Sequence, residues 1–128
     1  MVITSTYTLM VYWNLHMRLL KMNKIDKPLK LTLKYKWYDM IDSGEKLEEY
    51  RDITPYYKSR IEKYINELNS DKPRPVYVTF YKAYGKNRPQ MTFQIDYIIK
   101  STGLPAWGAK PGITYYCIGL GRRVKIRE

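Results

Sequence analysis

Residues suited to disulfides, metal sites and nucleophilic catalysis are almost missing from this 128-residue chain, which has one cysteine, Cys117, and one histidine, His16. A single cysteine excludes an internal disulfide and is typical of a reducing, cytoplasmic compartment. The two residues supply neither a zinc site nor a Ser–His or Cys–His catalytic pair. Because Cys117 lies in an apolar run, we interpret it as a buried structural thiol. We predict no cofactor and no metal, with a carboxylate-only metal site near Glu48, Glu49 and Asp52 as the alternative.

Acidic residues are scarce and unevenly placed. The chain has 23 Lys and Arg against 12 Asp and Glu, a formal net charge of +11. Six of the twelve acids lie between Asp39 and Asp52, whereas the stretch from Lys72 to Arg127 has eleven basic residues and one acid, Asp96. Such uneven basic charge on a small domain is typical of proteins that bind polyanions. A solvated basic surface without a partner is the alternative.

Long uninterrupted apolar runs are also missing. Residues 1–20 are apolar, but they lack the basic leader and cleavage site of a signal peptide and are too interrupted to span a bilayer. We therefore expect no membrane partner. We interpret residues 1–27 as an N-terminal extension of marginal structure, with a mis-started sequence or an extra strand as alternatives. Residues 28–128 are predicted to form a single domain.

Hydrophobic periodicity predicts the elements of this domain. Apolar and polar residues alternate from Leu29 to Leu33, which predicts a half-buried strand. Trp37, Met40 and Ile41 have the spacing of an amphipathic helix over residues 35–43, and Gly44 fits its C-terminal end. A second helix is predicted to begin at Thr54 and Pro55, with an apolar stripe of Tyr57, Ile61, Tyr64, Ile65 and Leu68.

Four further segments, residues 47–52, 76–84, 91–99 and 113–120, are predicted to be strands, followed by a basic tail. Residues 85–89 read as the turn of a hairpin between the two longest. The predicted inner faces of that hairpin are Val76, Val78 and Phe80, and Met91, Phe93, Ile95, Tyr97 and Ile99. The sequence thus predicts an α+β fold, a small curved β-barrel of about five to six strands with two short helices.

The segment from Gly44 to Arg51 has the form G-x-K-x-x-E-x-R. Since side chains alternate along a strand, Glu49 and Arg51 are expected to point the same way, with Lys46 in the turn before them. Arg51 offers a planar fork of donors for a phosphate or a base edge, and Lys46 offers a positive charge or a nucleophile. Glu49 can accept a hydrogen bond from an amine or act as a general base. The alternative is that the three residues simply pair with one another.

An initial strand, a short helix, this motif, a hairpin and a closing aromatic strand, in that order, resemble the ASCH domain, a PUA-like β-barrel family. The closing run from Trp107 to Gly121 is also similar to the end of small bacterial and phage ASCH proteins. The resemblance covers residues 28–124. It implies a PUA-like barrel that binds RNA or modified bases in a cleft beside it, with Lys46, Glu49 and Arg51 as cleft residues.

The resemblance also implies possible chemistry, since some small members are nucleases and one group hydrolyses the amide of N4-acetylcytidine. That group has a threonine of its proposed catalytic set at the position of Glu49, which weakens the amidohydrolase interpretation. We favour a nucleic-acid-binding domain, with RNA or a modified nucleotide as the partner. The first alternative is a hydrolase of a modified nucleoside or RNA, with Lys46 and Glu49 as catalytic residues. The second is a phage protein-interaction module.

Further residues are predicted to contact the ligand. Trp107 lies in a Gly/Pro-rich loop and is expected either to stack on a base or to plug the end of the barrel. Tyr81, Tyr84 and Tyr97 are interpreted as core or rim packing rather than as ligand contacts. The predicted phosphate contacts, for which a solvated basic face is the alternative, are Lys82, Lys86, Arg88, Arg122 and Arg123.

Overall fold

The computed structural model describes residues 27–125, so most of the predicted N-terminal extension and the end of the basic tail lie outside the described residues. The elements, in chain order, are β1 (Leu29–Leu33), α1 (Tyr35–Asp42), β2 (Glu48–Asp52), α2 (Pro55–Leu68), β3 (Tyr77–Lys82), β4 (Gln90–Thr102), a 3-10 turn (Pro105–Trp107) and β5 (Thr114–Val124). Neither α-helix in this range is long and apolar enough to cross a bilayer.

The five strands form one curled sheet in the order β1-β3-β4-β5-β2, so the α+β class is confirmed. β1 runs parallel to β3, and the other neighbours are antiparallel. β1 and β2 are therefore the two edges of the sheet. The curl brings these edges together. The side chain of Arg51 on β2 donates a hydrogen bond to the backbone carbonyl of Thr32 on β1, 2.9 Å away. We call this junction the seam.

The main core lies between one face of the sheet and the two helices. As the alternation predicts, the three leucines of β1 are buried and its polar residues are not. Thr54 caps α2 by accepting a hydrogen bond from the backbone nitrogen of Tyr57, and Pro55 occupies the first turn. From α2, Ile61 and Tyr64 enter the core, where they join Val78 and Phe80 of β3.

The first helix differs from its predicted packing in one respect. Gly44 follows it with a positive φ of 85°, a conformation that glycine adopts at little cost, as expected for its C-terminal end. The buried residues are Tyr38 and Ile41, whereas Trp37 is only partly buried. Trp37 packs against the core, as the stripe predicts, but it also lines a cleft, and Tyr38, which the stripe omitted, is buried in the core.

The predicted inner face of β4 is correct for its first half and wrong for its second. Met91, Phe93 and Ile95 are buried, but Tyr97 and Ile99 are 39% and 49% exposed, and Ile98 is buried in their place. The pairing of β4 with β5 shifts register on either side of Ile95. Because side chains alternate with a period of two, such a bulge exchanges the two faces of the strand.

The last strand is longer than predicted. Arg123 and Val124 pair with Phe93 and Thr92 near the start of β4, so β5 continues to Val124. Arg122 and Arg123 therefore lie in a strand rather than in a tail. On the opposite face of the sheet from the main core, Cys117 is 1% exposed and packs with Tyr50 and Tyr115, as expected for a structural thiol.

Candidate functional site

A cleft of about 690 Å³ lies at the seam and is the candidate site. β1 and β2 contribute one stretch of its wall each, and the helices, the β3–β4 loop and the 3-10 turn contribute the rest. Its charged lining residues are Lys34, Glu49, Arg51 and Asp52. Six aromatic residues from these separate segments also line it: Tyr35, Trp37, Tyr50, Tyr57, Tyr84 and Trp107. The cleft thus combines ring surfaces with a small group of charges.

Glu49 is the centre of the polar network in the cleft. Its Oε1 accepts a hydrogen bond from the backbone nitrogen of Tyr50 at 3.0 Å and lies 3.3 Å from Lys46 Nζ. Its Oε2 accepts a hydrogen bond from Arg51 Nη2 at 2.8 Å. Glu49 is buried, so both cations offset the loss of hydration of its carboxylate. Glu49 and Arg51 share a face of β2, as strand alternation predicts.

Lys46 stands behind the wall of the cleft. It is 1% exposed, and its Nζ donates a hydrogen bond to the carbonyl of Trp107 at 2.8 Å. The same ammonium lies 4.6 Å from the ring centre of Tyr50 and 5.5 Å from that of Trp37. Burial lowers the pKa of Lys46, and the charge of Glu49 opposes this shift. Lys46 therefore fixes Glu49 and the 3-10 turn and does not itself line the cleft.

Arg51 closes the seam. Its Nη1 donates to the hydroxyl of Tyr57 at 3.0 Å, and its Nη2 donates to both Thr32 and Glu49. Burial alone would lower the pKa of Arg51, but the charge of Glu49 and these hydrogen bonds raise it, so the guanidinium stays charged. Its side chain is 15% exposed, and its buried Nε has no hydrogen-bond partner within residues 27–125.

The two interpretations of the motif are not exclusive. The ion pairs of Glu49 with Lys46 and Arg51, considered above as the alternative to a site, are present. Glu49 and Arg51 nevertheless line the cleft. Trp107 likewise does two things, since it lines the cleft and packs against the cluster around Cys117. The glycine after it, Gly108, has a positive φ of 104°, and a Cβ atom at this position would lie 3.0 Å from the ring of Trp37.

The five predicted phosphate contacts fall into two groups. In the first, Lys86 and Arg88 belong to the β3–β4 loop, which forms one rim of the cleft through Tyr84. Lys82 lies at the base of that loop but is paired with Asp39 of α1 at 2.8 Å. In the second, Arg122 and Arg123 do not line the cleft.

Arg123 pairs with Asp42 of α1 at 2.6 Å, so it and Lys82 hold α1 from two strands. Both cations are therefore partly committed to positioning the helix that carries Trp37. Lys86 and Arg122 are exposed and form no ion pair with another described residue. These two are the predicted contacts with the most freedom to meet a polyanion.

Sequence reasoning did not identify the aromatic wall. Trp37 and Tyr57 were assigned to apolar helix stripes, and Tyr35 and Tyr50 were not singled out. The one signal in the sequence was the excess of 14 tyrosines over 2 phenylalanines. This excess indicates rings that lie at a polar boundary, where their hydroxyls form hydrogen bonds. Which of them meet in space depends on the curl of the sheet, which periodicity does not reveal.

Glu48 lies on the other face of β2 from Glu49 and belongs to a separate cluster. It accepts hydrogen bonds from the hydroxyls of Tyr50 and Tyr97. Tyr97 reaches it by crossing over Gly119, where a side chain would collide with the ring. The two neighbouring glutamates thus point to different environments. Across residues 27–125, no three His, Cys, Asp or Glu side chains gather closely enough to hold a metal ion.

Comparisons of the chain with protein-family models, with curated proteins and with solved structures find no match in any of the three.

Proposed function

We propose that the protein binds nucleic acid by taking one nucleotide, most suitably of RNA or with a modified base, into the cleft at the seam. The observation that carries this proposal is that the aromatic rings of Tyr35, Trp37, Tyr57 and Trp107 line the same cleft as the Glu49–Arg51 pair. Every nucleobase has flat faces that stack on such rings and an edge of donors and acceptors. Glu49 and Arg51 offer the complementary acceptor and donors at the floor of the cleft.

The charges around the cleft favour an anionic ligand. Lys34 and Arg51 balance Glu49 and Asp52 in its lining, and the rim adds Lys86 and Arg88 without an acid among residues 83–89. The net charge of +11 supplies long-range attraction to a polyanion. In this proposal Lys86 and Arg88 contact phosphates beside the cleft, and Arg122 contacts the backbone farther away. Lys82 and Arg123 act mainly by holding α1.

We also propose that the domain is PUA-like and of the ASCH type. The support is the order of the elements, the curled five-stranded sheet with two helices, and the pairing of Glu49 with both Lys46 and Arg51 beside one cleft. The resemblance implies a base-binding cleft at this place, and the geometry of the motif residues suits one. It is also the reason for favouring RNA over DNA as the partner.

Hydrolysis of a modified nucleoside or RNA is the second candidate, because Glu49 lines the cleft beside a lysine whose pKa is lowered. Two features favour binding over catalysis. The ammonium of Lys46 is buried behind the wall, and the carboxylate of Glu49 is already engaged by three donors. Product formation from acylated nucleosides or RNA that is lost in Glu49→Gln would make the hydrolase the better assignment.

Trp107→Ala provides the test of nucleotide binding in the cleft. We expect it to weaken binding of short single-stranded RNA at high salt by roughly 5- to 100-fold, since stacking contributes about 1–3 kcal/mol per base. Because the substitution leaves the net charge unchanged, the slope of affinity against salt concentration should stay as in the wild type. Fluorescence titrations at two salt concentrations measure both quantities.

Tyr56→Ala is the matched control, because Tyr56 is an exposed ring on α2 outside the cleft. Its affinity should equal that of the wild type at both salt concentrations. If folded Trp107→Ala also binds as tightly as the wild type at high salt, no base enters the cleft and charge alone accounts for binding. A partner retained from nuclease-treated extract would then favour the protein-interaction alternative.

A further inference from the structure

Tyr84 is a ring at the mouth of the cleft that packing within the described residues does not explain. It is 87% exposed, the most exposed of the large apolar side chains in residues 27–125. Its neighbour in the chain, Ala83, also lines the cleft. A large ring left in water beside a binding cleft forgoes the free energy of burial, which a ligand covering it would recover.

The loop that carries Tyr84 is held in a defined conformation. Ala83 and Asn87 both have a φ of 57°, a left-handed conformation that is unfavourable for alanine. Ala83 is fixed from both sides, since its nitrogen donates to the carbonyl of Leu33 at 2.8 Å and its carbonyl accepts from Arg88 Nη1 at 2.7 Å. The same Nη1 donates to Thr32 Oγ1 at 3.1 Å, which ties the loop to β1 at the seam.

These hydrogen bonds fix the backbone position from which the side chain of Tyr84 extends. The strained residue directly precedes Tyr84, and Arg88 anchors it to the strand whose carbonyl receives Arg51. A loop already ordered before binding loses less conformational entropy when a ligand settles on it. Strained backbone next to a cleft is a frequent feature of ligand clamps. The exposure of Tyr84 is thus a property of a held loop rather than of a free one.

The charge of the loop indicates what covers the ring. Residues 83–89 contain Lys86 and Arg88 and no acid. The guanidinium of Arg88 lies 4.4 Å from the ring centre of Tyr81. Of its nitrogens, Nη1 makes the hydrogen bonds to Ala83 and Thr32 described above. An aromatic platform next to two cations fits a flat base joined to a phosphate.

We propose that Tyr84 is a stacking platform for the nucleotide next to the one in the cleft, so that the preferred ligand is a single-stranded dinucleotide or longer strand. The proposal rests on the proposed function, since it adds a second position to the same site. Lys86 and Arg88 then lie beside the phosphate that joins the two nucleotides. A duplex is disfavoured, because a base enters the cleft only after leaving its stack and its pair.

The test compares mononucleotides with dinucleotides at high salt, where non-specific phosphate binding is weak. The probes are the common ribonucleoside monophosphates and the dinucleotides made from them, titrated by calorimetry or fluorescence. In the wild type we expect the best dinucleotide to bind roughly 5- to 100-fold more tightly than the best mononucleotide. Tyr84→Ala should remove most of this advantage, because it should lower dinucleotide affinity by a larger factor than mononucleotide affinity. Tyr84→Phe, which keeps the ring, should retain it.

The outcomes separate this inference from the function on which it rests. Mononucleotide binding that depends on Trp107, together with unchanged dinucleotide affinity in Tyr84→Ala, would overturn the second position and leave the cleft proposal standing. Equal losses in Tyr84→Phe and Tyr84→Ala would also overturn stacking, since the hydroxyl would then be responsible. If neither ligand binds the wild type, both proposals are wrong.

Discussion

Glu49→Ala is expected to lower the free energy of unfolding by about 3–5 kcal/mol, because it leaves a buried cation without its carboxylate. The side chain of Lys46 has no exposed surface, and its nearest charged partner is Glu49 Oε1. After the substitution, the carbonyl of Trp107 and two aromatic rings remain as direct contacts of its ammonium. Neither replaces a full negative charge. Chemical denaturation at neutral pH measures the loss.

The stability deficit of Glu49→Ala relative to the wild type should become smaller as the pH rises. Burial already lowers the pKa of Lys46 from its ordinary value of 10.5, and removal of Glu49 removes the charge that opposes this shift. Between the lowered folded pKa and 10.5, the unfolded chain holds more protons than the folded one. The free energy of unfolding therefore rises with pH in this window, so the deficit of Glu49→Ala relative to the wild type shrinks.

The control for this interpretation is the double variant Lys46→Met/Glu49→Ala, which removes the buried cation together with its partner. It should recover part of the lost stability and lose the extra dependence on pH, because an apolar chain of similar length needs no counter-charge. A single variant Glu49→Ala that is as stable as the wild type would contradict the account. So would a deficit of the single variant Glu49→Ala that does not change with pH.

Arg51→Ala is expected to weaken high-salt nucleotide binding and to weaken the seam. Two of the three hydrogen bonds of its guanidinium join β2 to Thr32 of β1 and to Tyr57 of α2, and the third goes to Glu49 on β2 itself. Hydrogen bonds to charged groups contribute about 1.5–3 kcal/mol each, so loss of the contact to a ligand alone should cost at least about tenfold in affinity. The melting temperature should fall as well, because the two sheet edges lose their link.

Arg51→Lys separates charge from geometry. A lysine keeps the positive charge but not the planar fork, so its single nitrogen does not reproduce the contacts that the two terminal nitrogens of Arg51 make with Tyr57 and Thr32. We expect it to fold, to keep the salt dependence of the wild type, and to recover only part of the affinity. If folded Arg51→Ala binds nucleotide at high salt as the wild type does, the seam is not the binding site.

The sequence was sufficient for the elements whose burial follows a simple period. The leucines of β1, the cap at Thr54 and the stop at Gly44 each depend on neighbours within a few residues, and each is where local rules predict it. The same local rule put Glu49 and Arg51 on one face of β2. Alternation failed at Tyr97 because a bulge in β4 is set by its pairing with a strand far along the chain.

The cleft itself was beyond the reach of local patterns. Its wall is built from segments that meet only because the sheet curls until β1 and β2 approach each other. The motif predicted that Lys46 would be near Glu49, but not that Lys46 would be buried behind the wall, since that depends on the position of Trp107. The pairing of Arg123 with Asp42 of α1 is likewise a contact between distant parts of the chain.

The most direct test of the central claim, that a nucleotide enters the cleft at the seam, follows the indole N–H signals of Trp37 and Trp107 in a proton–nitrogen NMR spectrum. Both rings line the cleft, from α1 and from the 3-10 turn. On titration with a mononucleotide at high salt, the account predicts that both signals shift in a saturable way, whereas backbone signals around Arg122 do not. If the mononucleotide binds while both indole signals stay in place, the cleft is not where it binds.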